Sequence, residues 1–345
     1  MNELRRELIK QGEICTNMGS PFMGRLLGLL AQRLTATGEV ERRLFDWPGD
    51  ISPSSASVPL RLAGALHAQV LQDQTGALAQ CYPPHEVSDT ALWDALAQTL
   101  STRQADLLRW LDSPPQTNEV RRSGVLIAVS SYLAQRYDRP LILSEIGASA
   151  GLNLMFDRFG LKIGDAYFGA RNPALTLEPD WHGELPATDA FVVSDRRGTD
   201  LNPLNPRHAP DQMRLRAYLW PDQPHRRALT DAAIASFDAS VDAQSAETWL
   251  PSRLDPAPNG LHMIYHTVAW QYFPKALQAK CREQIEAAGL RATAQRPLAW
   301  FGMEADTKPG AKGAALNLRL WPGDLHISLG RADFHGRWVE WMVGT

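Results

Sequence analysis

Apolar residues recur at helical spacing through the first third of the chain. They are Phe22, Leu26, Leu27, Leu29 and Leu30, then Leu62, Leu66, Val70 and Leu71, then Leu92, Leu96, Leu100, Leu107, Leu108 and Leu111. A stripe of this period buries one face of an amphipathic helix. The pattern breaks at Pro48-Gly49, Pro53, Pro83-Pro84 and Pro114-Pro115, where proline removes a donor and restricts the residue before it. No run alternates apolar and polar positions for the length of a strand. Residues 1–120 therefore predict an all-helical N-terminal domain, expected to cap the carboxyl edge of a sheet built by the rest.

From Pro140 the pattern changes. Leu141 to Ile146 is a short apolar run that ends in a glycine-rich turn, the mark of a buried strand. Further strands are predicted at 190–194, 239–242, 261–265 and 298–303, with helices at 121–134, 213–220, 226–237 and 274–288. Strands that alternate with helices predict a mostly parallel sheet. The tail differs: runs 315–321 and 325–329 flank the turn Pro322-Gly323-Asp324 and predict an antiparallel hairpin, followed by a last strand at 338–343. The stretch 161–187, with Gly164, Gly169, Pro173 and Pro179, reads as an inserted hairpin. The expectation for 121–345 is an α/β, Rossmann-like domain with a mostly parallel sheet and an antiparallel C-terminal hairpin.

Composition narrows the functional classes. Of 345 residues, 44% are hydrophobic and 21% charged, which is ordinary for a globular protein. Lys and Arg number 35 against 38 Asp and Glu, without the basic excess that nucleic-acid binding requires. No apolar run approaches the ~20 residues of a membrane span. Cys15, Cys81 and Cys281 are odd in number and far apart, so neither a disulfide framework nor a metal-ligand spacing is visible. With no signal-peptide pattern at the N-terminus, a cytoplasmic protein acting on a small molecule is expected.

The stretch Leu141-Ile142-Leu143-Ser144-Glu145-Ile146-Gly147-Ala148-Ser149-Ala150-Gly151-Leu152-Asn153 carries the chemistry, as strand, turn and a short helix closing at Gly160. Three readings compete. A dinucleotide fingerprint needs G-x-G-x-x-G, but Ser149 and Leu152 occupy the second and third glycine positions and obstruct close approach of a pyrophosphate. S-adenosylmethionine has no phosphate and carries a sulfonium and an ammonium, so the glycine demand is looser and a carboxylate at the strand end is useful. Glu145 supplies it, with Gly147, Ser149 and Gly151 in the turn. Third, Gly147-Ala148-Ser149-Ala150-Gly151 also matches the G-x-S-x-G nucleophile elbow, with Asp306 and His335 downstream in the order a hydrolase needs. A fold that retains the architecture without catalysis is a further alternative.

The cofactor reading makes demands further along. A carboxylate is expected to bind the ribose, and Asp195 and Asp200 both qualify; Asp200, in Gly198-Thr199-Asp200-Leu201-Asn202-Pro203, is preferred because turn chemistry would hold it. Asp242 and Ala243, after the next strand, suit the adenine. His266 is a candidate general base, with Glu304 and His335 as the other acid–base candidates. Asn118, Glu119, Trp270 and Tyr272 are candidate acceptor contacts. His262 and His266 lie ~13 Å apart on a strand, too far to share an ion, and no metal is expected.

Gln116-Thr117-Asn118-Glu119-Val120, the motif from Glu145 to Asn153, Gly198-Thr199-Asp200-Leu201-Asn202-Pro203-Leu204, Trp220-Pro221-Asp222-Gln223, His266-Thr267-Val268-Ala269-Trp270-Gln271-Tyr272 and His335-Gly336-Arg337-Trp338-Val339 together resemble the bacterial domain-of-unknown-function family 2332. The resemblance spans nearly the whole chain. It implies kinship with Rossmann-fold, class I methyltransferases, whose first motif is E/D-x-G-x-G-x-G. One departure is Arg121-Arg122, where the family more often has Gly-Arg.

Overall fold

The computed structural model describes residues 2–53, 55–255 and 259–343. The chain divides into two compact units, residues 1–117 with 208–228, and residues 118–207 with 229–345.

The regular elements among the first unit's described residues are all helices. It contains α1 (Glu3–Asn17), α2 (Pro21–Arg33), α3 (Glu39–Phe45), α4 (Val58–Gln72), α5 (Asp89–Thr102), α6 (Gln104–Leu111) and α8 (Ala209–Ala217). Helix starts follow local chemistry. Asn2 accepts from the Arg5 N–H ahead of α1, and Ser20 accepts from Met23 N–H ahead of α2, which opens on Pro21. The leucines of the three periodic stripes meet in one core with Tyr82 and Trp220. Segment 208–228, which sequence order places between two strands, belongs to this unit. Asp222 explains how it is held: its carboxylate accepts from Ser20 Oγ at 2.5 Å and from Phe22 N–H at 2.9 Å. Gln223 donates to Gly19 O at 2.9 Å. The Trp220-Pro221-Asp222-Gln223 motif is thus a clasp on the α1–α2 turn.

The second unit is built on a large, mostly parallel nine-stranded sheet. Its strands are β1 (Leu141–Ile146), β5 (Asp180–Gly183), β6 (Val193–Asp200), β7 (Val241–Ala243), β8 (Leu261–Thr267), β9 (Leu298–Glu304), β10 (Ala314–Trp321), β11 (Leu325–Ala332) and β12 (Trp338–Trp341). The spatial order is β5-β12-β11-β10-β9-β8-β1-β6-β7. Five consecutive strands, β7, β6, β1, β8 and β9, are parallel, and β10, β11 and β12 follow antiparallel. Every residue of β1 and β8 is buried, which is why these strands read as continuous apolar runs. From β1 the chain steps outward to β6 and β7, then returns across β1 to β8 and β9. The strand order thus reverses between β1 and β8, and ligands of open α/β sheets bind at the carboxyl ends of strands at such a reversal. Helices α7 (Ser123–Arg136), α9 (Pro224–Ala235), α10 (Ala246–Leu254) and α11 (Lys275–Leu290) complete the regular helices. No described helix is long and apolar enough to cross a membrane.

Three sequence expectations change. The helix expected to close at Gly160 is a 3-10 helix, Leu152–Arg158, followed directly by β2 (Gly160–Ile163). The stretch expected as an inserted hairpin holds β2, β3 (Ala166–Gly169) and β4 (Thr176–Leu177) as a separate three-stranded sheet, and contributes β5 to the edge of the large one. The strand expected at 190–194 is β6, running from Val193 to Asp200, so Gly198, Thr199 and Asp200 are strand and not turn. Gly198 reads as a turn signal but serves close packing: a Cβ there would lie 2.7 Å from Ala148 Cβ.

Replacement of Asp222 by Ala leaves two donors at the α1–α2 turn without their acceptor. The expected loss is about 1–3 kcal/mol, measured as a lower urea midpoint, and Asp222→Asn should lose less.

Candidate functional site

The glycine-rich turn at the end of β1 is the centre of the site. Gly147, Ser149 and Gly151 all have left-handed backbone, with φ of 69°, 55° and 75°. Glycine adopts this region freely, whereas for serine it is uncommon. Gly147 is also required by proximity, since a Cβ there would meet Ala269 Cβ at 2.5 Å.

Two stretches of chain outside it, 118–123 and 199–200, hold this turn. Gly147 N–H and Ala148 N–H both donate to Thr199 O, at 2.9 and 3.0 Å, and Gly151 N–H donates to Ala148 O at 2.8 Å. Ser149 N–H donates to Asp200 Oδ2 at 2.9 Å, and Leu152 N–H to Asn118 Oδ1 at 2.8 Å. Asn153 receives Ser123 Oγ at 2.8 Å and donates to Glu119 O. The turn therefore directs these amides into the protein. Phosphate-binding loops do the opposite and present their amides to the ligand.

Glu145 lies beneath the turn, 2% exposed. The hydrogen bond it receives from Tyr265 Oη is long, 3.4 Å. Burial pushes its carboxyl well above the ordinary value of 4.5; the Tyr265 bond and the Arg122 charge pull the other way, and the Asp200 charge pushes it up again. Ser149 Oγ is likewise buried and has no hydrogen-bond partner. A carboxyl at the strand end and a hydroxyl of the turn are thus left poorly satisfied, which is uncommon in protein interiors.

The two ribose candidates separate. Asp195 sits beside Ile142, towards the amino end of β1, and pairs with Arg253 at 2.6 Å. Asp200 is at the carboxyl end; its oxygens accept from Ser149 and Asn202 N–H, and a carboxylate has capacity for further donors. Asp242 is engaged more fully. It pairs with Arg197 at 2.7 Å and accepts from Trp249 Nε1 at 2.6 Å. Ala243, next along, is exposed at the strand end.

The segment after β8 is braced differently. Val268 has a φ of 54°, a strained conformation for a β-branched residue, costing about 1–3 kcal/mol. Glu304, at the end of β9, holds it there. Glu304 Oε1 accepts from His266 Nδ1 at 2.8 Å, Ala269 N–H at 2.9 Å and Trp270 N–H at 3.0 Å. Burial pushes this carboxyl up, but those bonds outweigh it and leave it below 4.5. His266 Nε2 accepts from Trp300 Nε1 at 3.1 Å. Because indole only donates, Nε2 is the accepting nitrogen and Nδ1 is the one directed at Glu304. Both ring nitrogens are engaged, so His266 and Glu304 act as placed to position the loop and do not present a base. Trp270 stacks on His266 with centroids 4.9 Å apart, whereas Tyr272 is 61% exposed at the rim.

β11 runs with the parallel strands, so the turn that follows it lies at the same end. His335 is half-buried in this turn, and its N–H donates to Asp333 Oδ1 at 2.9 Å. Gly336 has a φ of 69° and approaches the backbone of Arg121. Arg122, a buried residue that carried no expectation, ties the rim together. Its Nη1 donates to Thr267 O and its Nε to Phe334 O, both at 2.9 Å. Only its place in a charged pair just ahead of an apolar helix signalled it.

The nucleophile-elbow geometry is incomplete. Ser149 Oγ has no base against it, and Asp306 accepts both terminal nitrogens of Arg331, at 2.8 and 3.0 Å. Among the described residues no three His, Cys, Asp or Glu side chains are grouped to hold a metal. His262 instead meets Ser144 Oγ at 2.8 Å, and burial pushes its ring down to about 3.

Two carboxyls of the site carry opposite pH signatures. Glu145 is raised in the folded state, so its contribution to stability is present below 4.5 and lost as pH rises through the folded value. Glu304 is lowered, so its contribution is present above 4.5 and lost as pH falls through the folded value. In chemical denaturation from pH 2 to pH 8, Glu145→Gln should gain stability on the wild type as pH rises. Glu304→Gln should fall behind by about 2 kcal/mol at neutral pH and recover towards acid. Parallel curves for the two variants would contradict both assignments.

A family model described as an uncharacterized protein conserved in bacteria, DUF2332, matches residues 5–341. No curated protein and no solved structure matches the chain. The match covers nearly every residue, and the chain belongs to the bacterial family DUF2332.

Proposed function

We propose that this chain binds S-adenosylmethionine at the carboxyl ends of β1, β6 and β8 and is a methyltransferase-like protein acting on a small-molecule acceptor. The observation that carries the reading is Glu145, a buried carboxyl with one long hydrogen bond, beneath a left-handed turn at the point where strand order reverses. Ligands of open α/β sheets bind at such reversals. Counted in chain order, the five parallel strands lie third, second, first, fourth and fifth across the sheet. This is the order of a Rossmann-like nucleotide fold.

The residues present suit the group. Glu145 offers a carboxylate to a cation, Ser149 Oγ a buried hydroxyl without a partner, and Asp200 the remaining lone pairs of its carboxylate to the ribose. With Asp242 held by Arg197 and Trp249, the adenine falls chiefly to the strand end at Ala243. When bound, the cofactor supplies an electrophilic methyl group. The chain's own task is positioning, because an in-line displacement depends on holding the reactants in register. His266 and Glu304 fix the loop 267–272, with Tyr272 at the acceptor side. Asn118 and Glu119 brace the turn from behind. A proton the acceptor must lose is assigned to His335, at the same edge. The near-balance of charge favours a small molecule over a polyanion.

Calorimetric titration tests the reading. S-adenosylmethionine and S-adenosylhomocysteine should bind with micromolar Kd, and Asp200→Asn should weaken both roughly tenfold, the equivalent of about 1.4 kcal/mol. No heat at millimolar ligand would sink it. Ser149→Ala should bind the cofactor more weakly, and any hydrolysis of activated esters should survive that change.

A further inference from the structure

The electrostatics of Glu145 deepen the reading above, on which this inference rests. Tyr265 Oη is 3.4 Å from Glu145 Oε2 and also 3.4 Å from Asn153 O, so one hydroxyl proton faces two acceptors. Among the described residues no cation lies within ion-pair distance of Glu145; the pairs that do form nearby are Arg121 with Glu119 and Arg196 with Asp157. The groups that face it come from three elements. Tyr265 on β8 donates weakly, Asp200 at the end of β6 adds negative charge, and Arg122, ahead of α7, adds positive charge. Arg122 directs Nη1 and Nε at the carbonyls of Thr267 and Phe334. An ionised carboxylate in a dry site is strongly disfavoured without a close partner. A cationic ligand would be that partner.

We infer that Glu145 carries a proton in the ligand-free protein and exchanges it for the ammonium of an adenosyl amino-acid ligand, so that each binding event releases one proton. The O–H bond of the carboxylic acid breaks, its proton passes to the buffer, and the carboxylate left behind accepts from the ammonium. The site is thereby selective for a ligand bearing an amino-acid cation, and the inward-directed amides of the turn offer nothing to a phosphate. Affinity is set by pH at a single buried group.

The experiment combines two measurements on the full chain. In the first, S-adenosylhomocysteine and 5′-methylthioadenosine are titrated calorimetrically in buffers of different ionisation enthalpy. The amino-acid ligand should release about one proton, with Kd tightening about tenfold per pH unit while the free acid is protonated. The second ligand keeps the adenosyl group but lacks the ammonium, and should release none. E145Q should bind the amino-acid ligand at least roughly tenfold more weakly and without proton release. The second measurement is the ligand-free infrared difference spectrum between wild type and E145Q at neutral pH, where a neutral carboxylic acid band is expected in the wild type. Absence of that band overturns the inference, whatever binds. A band that survives saturation with S-adenosylhomocysteine, or equal proton release by both ligands, also overturns it while the cofactor reading stands. A band without binding of either ligand overturns the cofactor reading, and the exchange with it.

Discussion

The second unit depends on how tightly the turn from Gly147 to Gly151 is held. Three left-handed residues in five would be costly in an isolated chain. Here they persist because Thr199 O, Asp200 and Asn118 take up the freed amides. The same bonds fix the end of β6 against β1, place Asn118 at the start of the 3-10 helix, and leave Gly147 within van der Waals reach of Ala269. A larger residue at 147 would move the loop after β8. The turn is therefore the common point of contact for the segments gathered at this end of the sheet.

Two carboxyls in this region behave differently for a clear physical reason. Glu304 is surrounded by donors, and its charge caps a strained loop at Val268. Glu145 is buried with one long bond from a hydroxyl, and the Arg122 and Asp200 charges that reach it pull in opposite directions. Buried charge is tolerated when hydrogen bonds replace water and is otherwise avoided. Glu304 is thus explained by the fold alone, whereas Glu145 is not. That difference gives Glu145 more weight than its motif position alone.

The network His266–Glu304–Trp300 shows how a chemically suggestive residue can have a structural task. A histidine at a strand end is an attractive base by position and by ordinary titration range. The indole of Trp300 on one nitrogen and the carboxylate on the other fix its tautomer and engage both of its sites. Trp300 is remote in sequence and nothing local forecasts the contact. Asp242 is similar: the pattern gave it an adenine, and the packing of α10 gave it Trp249 and, with β6, Arg197.

The sequence by itself determined the helical character of the first third, the apolar strands β1, β8 and β9, the C-terminal hairpin, and the turn at Gly147 to Gly151. Each is a local matter of period, glycine or apolar run, and local signals survive folding. It placed Asp200 in a turn, whereas the structure has it as the last residue of β6, because Gly198 signals a turn unless Ala148 is known to lie against it. Tertiary structure alone decided that residues 208–228 join the helical unit, that 180–183 adds an edge strand, and which carboxyls are satisfied. Those outcomes rest on partners such as Asp222 and Phe22, 200 residues apart. A hydrogen bond between distant residues leaves no periodic trace in either segment, so only the folded chain reveals it.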